Sequence, residues 1–381
     1  MAWQEFLRGK RKRQDVAEFS LHLLDNIFAL HEELVSKTYR HGGYQAFKIN
    51  DPKPRDIHKA SVRDRLIHHA IYRAIYPYFD RKFIFDSYSC RLGKGTHRAI
   101  NRFREYGRIV SRNHTRTAWV LKGDIRKFFA SIDHEILKNI LAKYIGDEDV
   151  LWLLGEVVGS FKKVPPLSEA IEKAPLRKGE NSRQRIGGCI NVASSCKDKF
   201  YRSWNTPHPS VFLGKTDAPH GRGGVFIAPL IKGVGGFVGL PLGNLTSQLF
   251  VNIYMNELDQ FIKRKLKIKY YIRYADDFVI FHEDRNYLEK LIPQIAEFLE
   301  TELKLSLHPD KVFVKTLASG VDFLGWTHFP HQRILRTATK WRMFRRLERE
   351  FKPAMMASYL GLLSHGNTHK ILVKIRSSRR L

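Results

Sequence analysis

The chain has 381 residues, 43% of them hydrophobic and 12% aromatic, and a formal net charge of +28. That length holds two or three packed subdomains, and this apolar content excludes a disordered chain. The cationic excess, spread from Arg8 to Arg380, calls for a polyanionic partner, nucleic acid first and an anionic membrane second. No apolar run approaches the roughly 18–20 residues needed to cross a bilayer. The N-terminus MAWQEFLRGKRKRQ lacks the apolar segment of a secretory signal. Cys90, Cys189 and Cys196 complete no zinc spacing, and a reduced, cytoplasmic protein is the simplest expectation.

In chain order, the basic cluster Arg8 to Arg13 is either a solvated tail or a contact for backbone phosphates. Residues 15–36 place Val16, Phe19, Leu23, Ile27, Leu30 and Leu34 at helical spacing, which predicts one amphipathic helix. Tyr44 to Asn50 alternates like a strand. The basic, proline-interrupted stretch DPKPRDIHKASVRDR follows, and a strand–turn–strand there would aim Lys53, Arg55, Arg63 and Arg65 at phosphates. A helix from about Leu66 comes next. Gly93-Lys94-Gly95-Thr96 then opens another helix, without the full glycine pattern of a nucleotide-binding P-loop.

Ala118 to Leu121 reads as a buried strand ending at or near Asp124, which serves either as a helix N-cap or as a metal-binding carboxylate. Phe128 and Phe129 follow, one for the core and one for a substrate. Residues 159–236, rich in Gly, Pro, Lys and Arg, interrupt the pattern as an insertion. The stretch GFVGLPLGNLTSQLFVNIYMNELDQF then enters a long helix, with Gly239, Gly243 and Asn244 permitting close backbone approach.

Tyr270 to Phe281, YYIRYADDFVIF, predicts a hairpin whose two-residue turn is Asp276-Asp277. Two crowded acids in an apolar hairpin need a neutralising cation, and Mg²⁺ is usually held by one or two carboxylates plus substrate phosphates. A helix buried through Leu288, Leu291, Ile295 and Leu299 follows. Lys311 stands at a loop end, either a surface lysine or a proton donor. VDFLGWTHF with RILR predicts a hairpin, and basic amphipathic helices close the chain.

The ordered stretches PKPRDIHKASVRDR, RLGKGTHRAI, DIRKFFASIDH, GLPLGNLTSQLFVNIYMNELDQF, RYADDFVIF, LSLHPDKV and FLGW resemble the reverse transcriptase family across roughly residues 40 to 370. The resemblance implies an α+β right-hand polymerase: an N-terminal extension over 1–40, fingers over 41–115, a palm with antiparallel sheet and helices over 116–335, and a helical thumb over 336–381. It implies RNA-directed DNA synthesis with two Mg²⁺ ions, Mn²⁺ being a substitute. Asp124, Asp276 and less directly Asp277 would be the ligands. Lys53, Arg55 and Arg63 would contact the incoming dNTP, Phe129 would gate against ribonucleotides, and Lys311 would act as general acid. Gly243 and Gln248 would border the nucleotide, and Leu242, Asn244 and Gln248 a template pocket.

Leu242 stands where bacterial and intron-encoded relatives carry glutamine, and Ser247-Gln248 replaces their Ser-Pro. This is similar to the error-prone enzymes of diversity-generating retroelements, which implies a small basic accessory protein beside the RNA template, the cDNA primer and the dNTPs. A stand-alone antiviral enzyme copying a structured noncoding RNA, a group II intron-like enzyme and a catalytically idle RNA-binding protein are the alternatives. No maturase, endonuclease or ribonuclease H region is expected after the thumb.

Overall fold

The computed structural model describes residues 1–49, 54–161, 239–349 and 352–377. Three short helices come first: α1 (Ala2–Phe6), α2 (Gln14–Leu21) and α3 (Leu23–Val35). The single helix expected over 15–36 is therefore broken at His22, whose φ of −117° and ψ of 41° leave the helical region. The break turns Val16 toward Phe6 and Val62, while Leu30 joins the main core. Strands β1 (Tyr44–Ile49) and β2 (Arg55–Ala60) pair as an antiparallel hairpin.

Helix α4 (Val62–Asp80) begins at Ser61, whose hydroxyl accepts from the Asp64 amide. The Asp64 carboxylate turns back to accept from Ser61 Oγ at 2.7 Å and from Tyr39 Oη at 2.9 Å. This reciprocal cap ties the helix start to the segment before β1. Then come α5 (Thr96–Val110), β3 (Trp119–Gly123), α6 (Phe128–Ser131), α7 (His134–Tyr144) and α8 (Glu148–Gly159). After residues 162–238, which lie outside the description along with nearly all of the expected insertion, α9 (Leu245–Gln260) runs into one π-helical turn, Phe261–Lys265.

Next come β4 (Tyr271–Tyr274), β5 (Asp277–His282), α10 (Arg285–Leu303) and β6 (Phe313–Thr316). Strands β7 (Val321–Phe323), β8 (Trp326–His328) and β9 (Arg333–Leu335) form a three-stranded meander where sequence spacing predicts a hairpin. Helices α11 (Thr337–Arg349), α12 (Pro353–Leu363) and α13 (His369–Ser377) complete the chain. No helix among the described residues is long and apolar enough to cross a membrane.

The central sheet has the order β4-β5-β3-β6 and is antiparallel throughout. Side chains alternate between its two faces with period two, and both faces are buried. Leu121, Tyr271, Phe278 and Ile280 join the large core built with α4, α7, α9 and α10. Val120, Ile272, Val279 and Phe281 join a second core with Phe103 and Tyr106 of α5 and with Val321 and Phe323. Two-sided burial explains the unbroken apolar run FVIF, since strict alternation belongs to sheets with one wet face. The mixed helix and antiparallel-sheet organisation agrees with the α+β class expected from the sequence.

Candidate active site

Asp124 follows β3 directly, and Gly123 pairs with Phe278 of β5. Extending that register by one residue sets Asp124 opposite Asp277. The approach depends on Gly123, because a Cβ there would lie 2.1 Å from the Phe278 ring. The hairpin turn comprises Ala275 and Asp276, since Tyr274 pairs with Asp277. Asp277 is therefore the first residue of β5 and not the second residue of the turn, as its sequence context predicts. Ala275 takes the positive φ, 55°, that tight hairpin turns require at their first central position.

The turn is held from behind. Arg273, fully buried, donates from Nη1 to the Ala275 carbonyl at 3.1 Å and from Nε and Nη2 to Asp259 of α9 at 2.8 and 2.7 Å. Its Nη2 also reaches Ser87 Oγ, and Tyr271 Oη donates to the same Asp259. A buried ion pair survives when hydrogen bonds satisfy both partners, as here. The sequence gives no periodic cue to this pair, because its members sit on a helix and a strand 14 positions apart.

The carboxylates crowd one another. Burial raises the Asp276 pKa to about 6, with the charges of Asp277 and Asp124 adding to the shift and Lys311 opposing it. Asp277 is raised mainly by burial and by Asp124, against the pull of Lys122. Lys122 Nζ stands 3.3 Å from Asp277 Oδ1, from the same strand face as Asp124 two residues on. Lys311 Nζ donates to Asp124 Oδ1 at 2.9 Å. The strip carrying Lys311 is laced to Asp124 by backbone bonds: the His308 amide donates to the Asp124 carbonyl at 2.8 Å and the Arg126 amide to Ser306.

Three converging carboxylates, two with raised pKa and two with ammonium partners, are a donor set that fits divalent cations. Among the described residues no three His, Cys, Asp or Glu side chains form a ready cage. Such an ion would draw its remaining ligands from substrate phosphates, as Mg²⁺ commonly does.

A second strip is stitched to this one. The Phe129 carbonyl accepts from the Leu240 amide at 2.7 Å, and the Ile132 carbonyl from Gly239 at 2.8 Å. Phe129 is half-buried, its ring edge-on to the buried Phe128. Onward, the Leu242 carbonyl accepts from the His58 amide at 2.9 Å, and Asn244 Nδ2 donates to the His58 carbonyl at 3.1 Å. Between them Gly243 sits at φ 110°, where an added Cβ would meet Ile57 Cγ2 at 2.8 Å. Both backbone groups of His58 thus face the 242–244 loop, which fixes the β1–β2 hairpin against the start of α9. Asn244 Oδ1 is buried with no hydrogen-bond partner. Gln248 lies half-buried in the first turn of α9.

The remaining basic residues separate. Lys53 lies outside the described residues. Arg55 is exposed at the first position of β2, paired with Ile49. Arg63 instead sits over the Tyr39 ring, ion-paired with Glu33 and, at 3.0 Å, with Asp64. Arg65 and Lys59 both bind Asp15 of α2.

Residues 196–328 match the family model described as Reverse transcriptase (RNA-dependent DNA polymerase). That match covers a little over a third of the chain and includes the β4–β5 hairpin with Asp276 and Asp277. The chain is 24% identical over 215 residues to Nuclear intron maturase 1, mitochondrial, of Arabidopsis thaliana, covering 56% of this chain and 27% of that one. Protein YkfC of Escherichia coli (strain K12) is 23% identical over 78% of this chain and 69% of its own. The putative COX1/OXI3 intron 2 protein of Saccharomyces cerevisiae is 21% identical over 89% and 38%. The chain therefore spans about a quarter of the first relative's length. Among solved structures, telomerase from Candida albicans in complex with a TWJ fragment of telomeric RNA aligns with 82% of this chain and 51% of its own, at 12% identity and TM-score 0.42.

Proposed function

We propose that the protein is an RNA-directed DNA polymerase that extends a primer with dNTPs along an RNA template. The observation that carries this reading is the Asp124–Asp276–Asp277 cluster at the end of β3 and the β4–β5 turn, where burial first and then the neighbouring carboxylates raise the pKa values of Asp276 and Asp277. Asp124 and Asp276, with Asp277 beside them, would hold the Mg²⁺ ions, or Mn²⁺ in their place. When bound, such ions activate the primer hydroxyl and neutralise charge on the leaving pyrophosphate.

The chain's own part is positioning and charge, which is most of what phosphoryl transfer needs. Lys311, whose Nζ donates to Asp124 at 2.9 Å, would be free to turn toward the phosphates if a cation held that carboxylate, and would there give a proton to pyrophosphate. Arg55 supplies a further cation from the hairpin. The segment 239–244, anchored to both Phe129 and His58, joins the sugar side of the nucleotide to the template side.

For the biological role we favour the error-prone enzyme of a diversity-generating retroelement, working in the cytoplasm with a small basic accessory protein. Leu242 in the loop beside β2 and Gln248 in the first turn of α9 support that reading. The intron-type relatives favour a group II intron-like enzyme as the second reading. Asp276→Asn is expected to abolish divalent-metal-dependent cDNA synthesis while RNA binding persists; full activity in that variant sinks the metal assignment. Sequencing of the co-purifying RNA and its cDNA separates the two roles, since adenine-directed errors on a repeat template mark the first and faithful intron copies the second.

A further inference from the structure

Outside the carboxylate site the molecule carries a row of alternating cations and aromatic rings along the outer edge of β4. Lys94 Nζ lies 3.4 Å from the centre of the Phe85 ring, and the Arg102 guanidinium 5.4 Å from it. Arg102 also lies 4.4 Å from the Tyr106 ring. Tyr106 meets Tyr270 edge-on at 5.2 Å, and Lys269 Nζ is 5.3 Å from the Tyr270 ring. Five of these side chains reach the surface, and the buried Tyr106 joins them from beneath, between Arg102 and Tyr270.

The base of this ladder is rigid. Asp86, buried, accepts from Tyr88, Tyr106 and Arg102. The Arg273 amide donates to the Asp86 carbonyl at 3.0 Å, which joins the segment before α5 to β4. Its outer end is open: Phe85 is 67% exposed. Among the described residues, the one acidic side chain hydrogen-bonded to the ladder from the surface, Glu105, is engaged by Arg102 at 2.9 Å. The π-helical turn before β4 adds the exposed Arg264 and Lys265, and the loop that supplies Lys269 adds the exposed Lys267.

An exposed ring flanked by cations is poorly explained by packing. Lys94 is held over the ring by a 2.8 Å hydrogen bond from its Nζ to the Phe85 carbonyl, but a Phe with two-thirds of its surface in water gains little burial. The same arrangement suits an unpaired nucleotide, whose base stacks on the ring while the cations follow the phosphates. A duplex presents its bases edge-on and has no use for an exposed ring.

We propose that this ladder is a second RNA-binding surface, which holds an unpaired stretch of the template outside the catalytic cleft. It rests on the polymerase reading for its choice of strand, because the template is the strand that such a reaction keeps unpaired ahead of synthesis. The surface flanks β4 from Thr96, bonded to Tyr274 Oη, to Lys269. Its Lys269 end stands beyond the opposite end of β4 from the Asp276 turn, and the four residues of that strand alone span about 13 Å at the usual rise per residue.

The test compares two fluorescent probes: a short RNA-template–DNA-primer hairpin that fills only the cleft, and the same hairpin with a long oligouridine extension on the template. Phe85→Ala, and separately Lys94→Ala with Lys269→Ala, are expected to weaken binding of the extended probe about tenfold. Affinity for, and extension of, the short probe should not change. Phe85→Trp should keep or tighten the extended complex. Unchanged affinity of Phe85→Ala for the extended probe overturns the proposal, as does an equal loss on both probes. Competition by polyglutamate as effective as by polyuridine also overturns it, because the patch would then be a general anion surface. If the wild-type chain binds the extended probe through the ladder but makes no cDNA, the polymerase reading fails and this one stands.

Discussion

Asp276 shows how a reacting group can weaken the molecule that carries it. Its carboxyl, pushed up to about 6 from an ordinary value near 4, prefers the neutral form when folded. Between those two values the folded chain binds more protons than the unfolded chain, so stability falls as pH rises through this window. A shift of about two units corresponds to roughly 3 kcal/mol, an upper figure because the site keeps some contact with water. Asp276→Asn, dead in synthesis, should therefore melt higher than the parent at pH 7 in the absence of divalent ions, and the difference should vanish near pH 4. Calorimetry at both values, with chelator present, checks it; a lower melting temperature at pH 7 contradicts the crowding.

At Phe129 the expectation concerns selectivity. The ring is half-buried on a strip bonded to Leu240, so its position is set from two sides. Phe129→Ala should admit ribonucleotides, read as the ratio of incorporation of the two sugars at matched concentration. Sugar discrimination equal to the parent would return Phe129 to the core.

Among the elements, the β4–β5 hairpin depends on Arg273 most. Arg273→Met leaves Asp259 charged, buried and without its cation, a loss on the order of 3–5 kcal/mol. Replacing both as Arg273→Met with Asp259→Leu should recover much of the melting temperature but little synthesis, because the Ala275 carbonyl has still lost its anchor. Equal recovery of stability and activity would mean that Arg273 serves the fold alone.

This hairpin also shows where sequence reasoning stops. Its strands were legible, because FVIF between turn residues predicts a strand buried on both faces. So were Asp124 and Asp276, since acids between apolar runs stand out. The Arg273–Asp259 pair and Lys122 were not, because each partnership is made by register and by helix–sheet contact, which leave no local pattern. The break at His22 was hidden for a similar reason: the apolar spacing continues across it, and only packing of Val16 under Phe6 requires the bend. Phe85 lay in an unremarked stretch, where only a fold can reveal that a ring is exposed between cations.

For the whole molecule, the +28 charge sets the response to salt. Each phosphate neutralised releases a counterion, so log affinity for RNA should fall linearly with log salt at close to one unit of slope per contact. Fluorescence titrations between about 50 and 200 mM salt should give a several-fold to thousand-fold loss. A flat response would leave the cationic excess without a nucleic-acid role. The Phe85→Ala variant should lower affinity with little change in slope, whereas Lys94→Ala with Lys269→Ala should reduce the slope itself.

The burial of the central sheet on both faces has a kinetic consequence. Strands β3 and β5 are its inner members, with one core on each side. Their amides cannot meet solvent by fraying or by loosening a single layer. In hydrogen-exchange mass spectrometry they should be the slowest in the molecule and exchange together, through global opening. The amide of His58, bonded to the 242–244 loop at the margin, should exchange much sooner. Asp124 and Asp277 thus ride on the part of the backbone that moves last, so any adjustment to template or nucleotide falls to segments at the margin such as the β1–β2 hairpin.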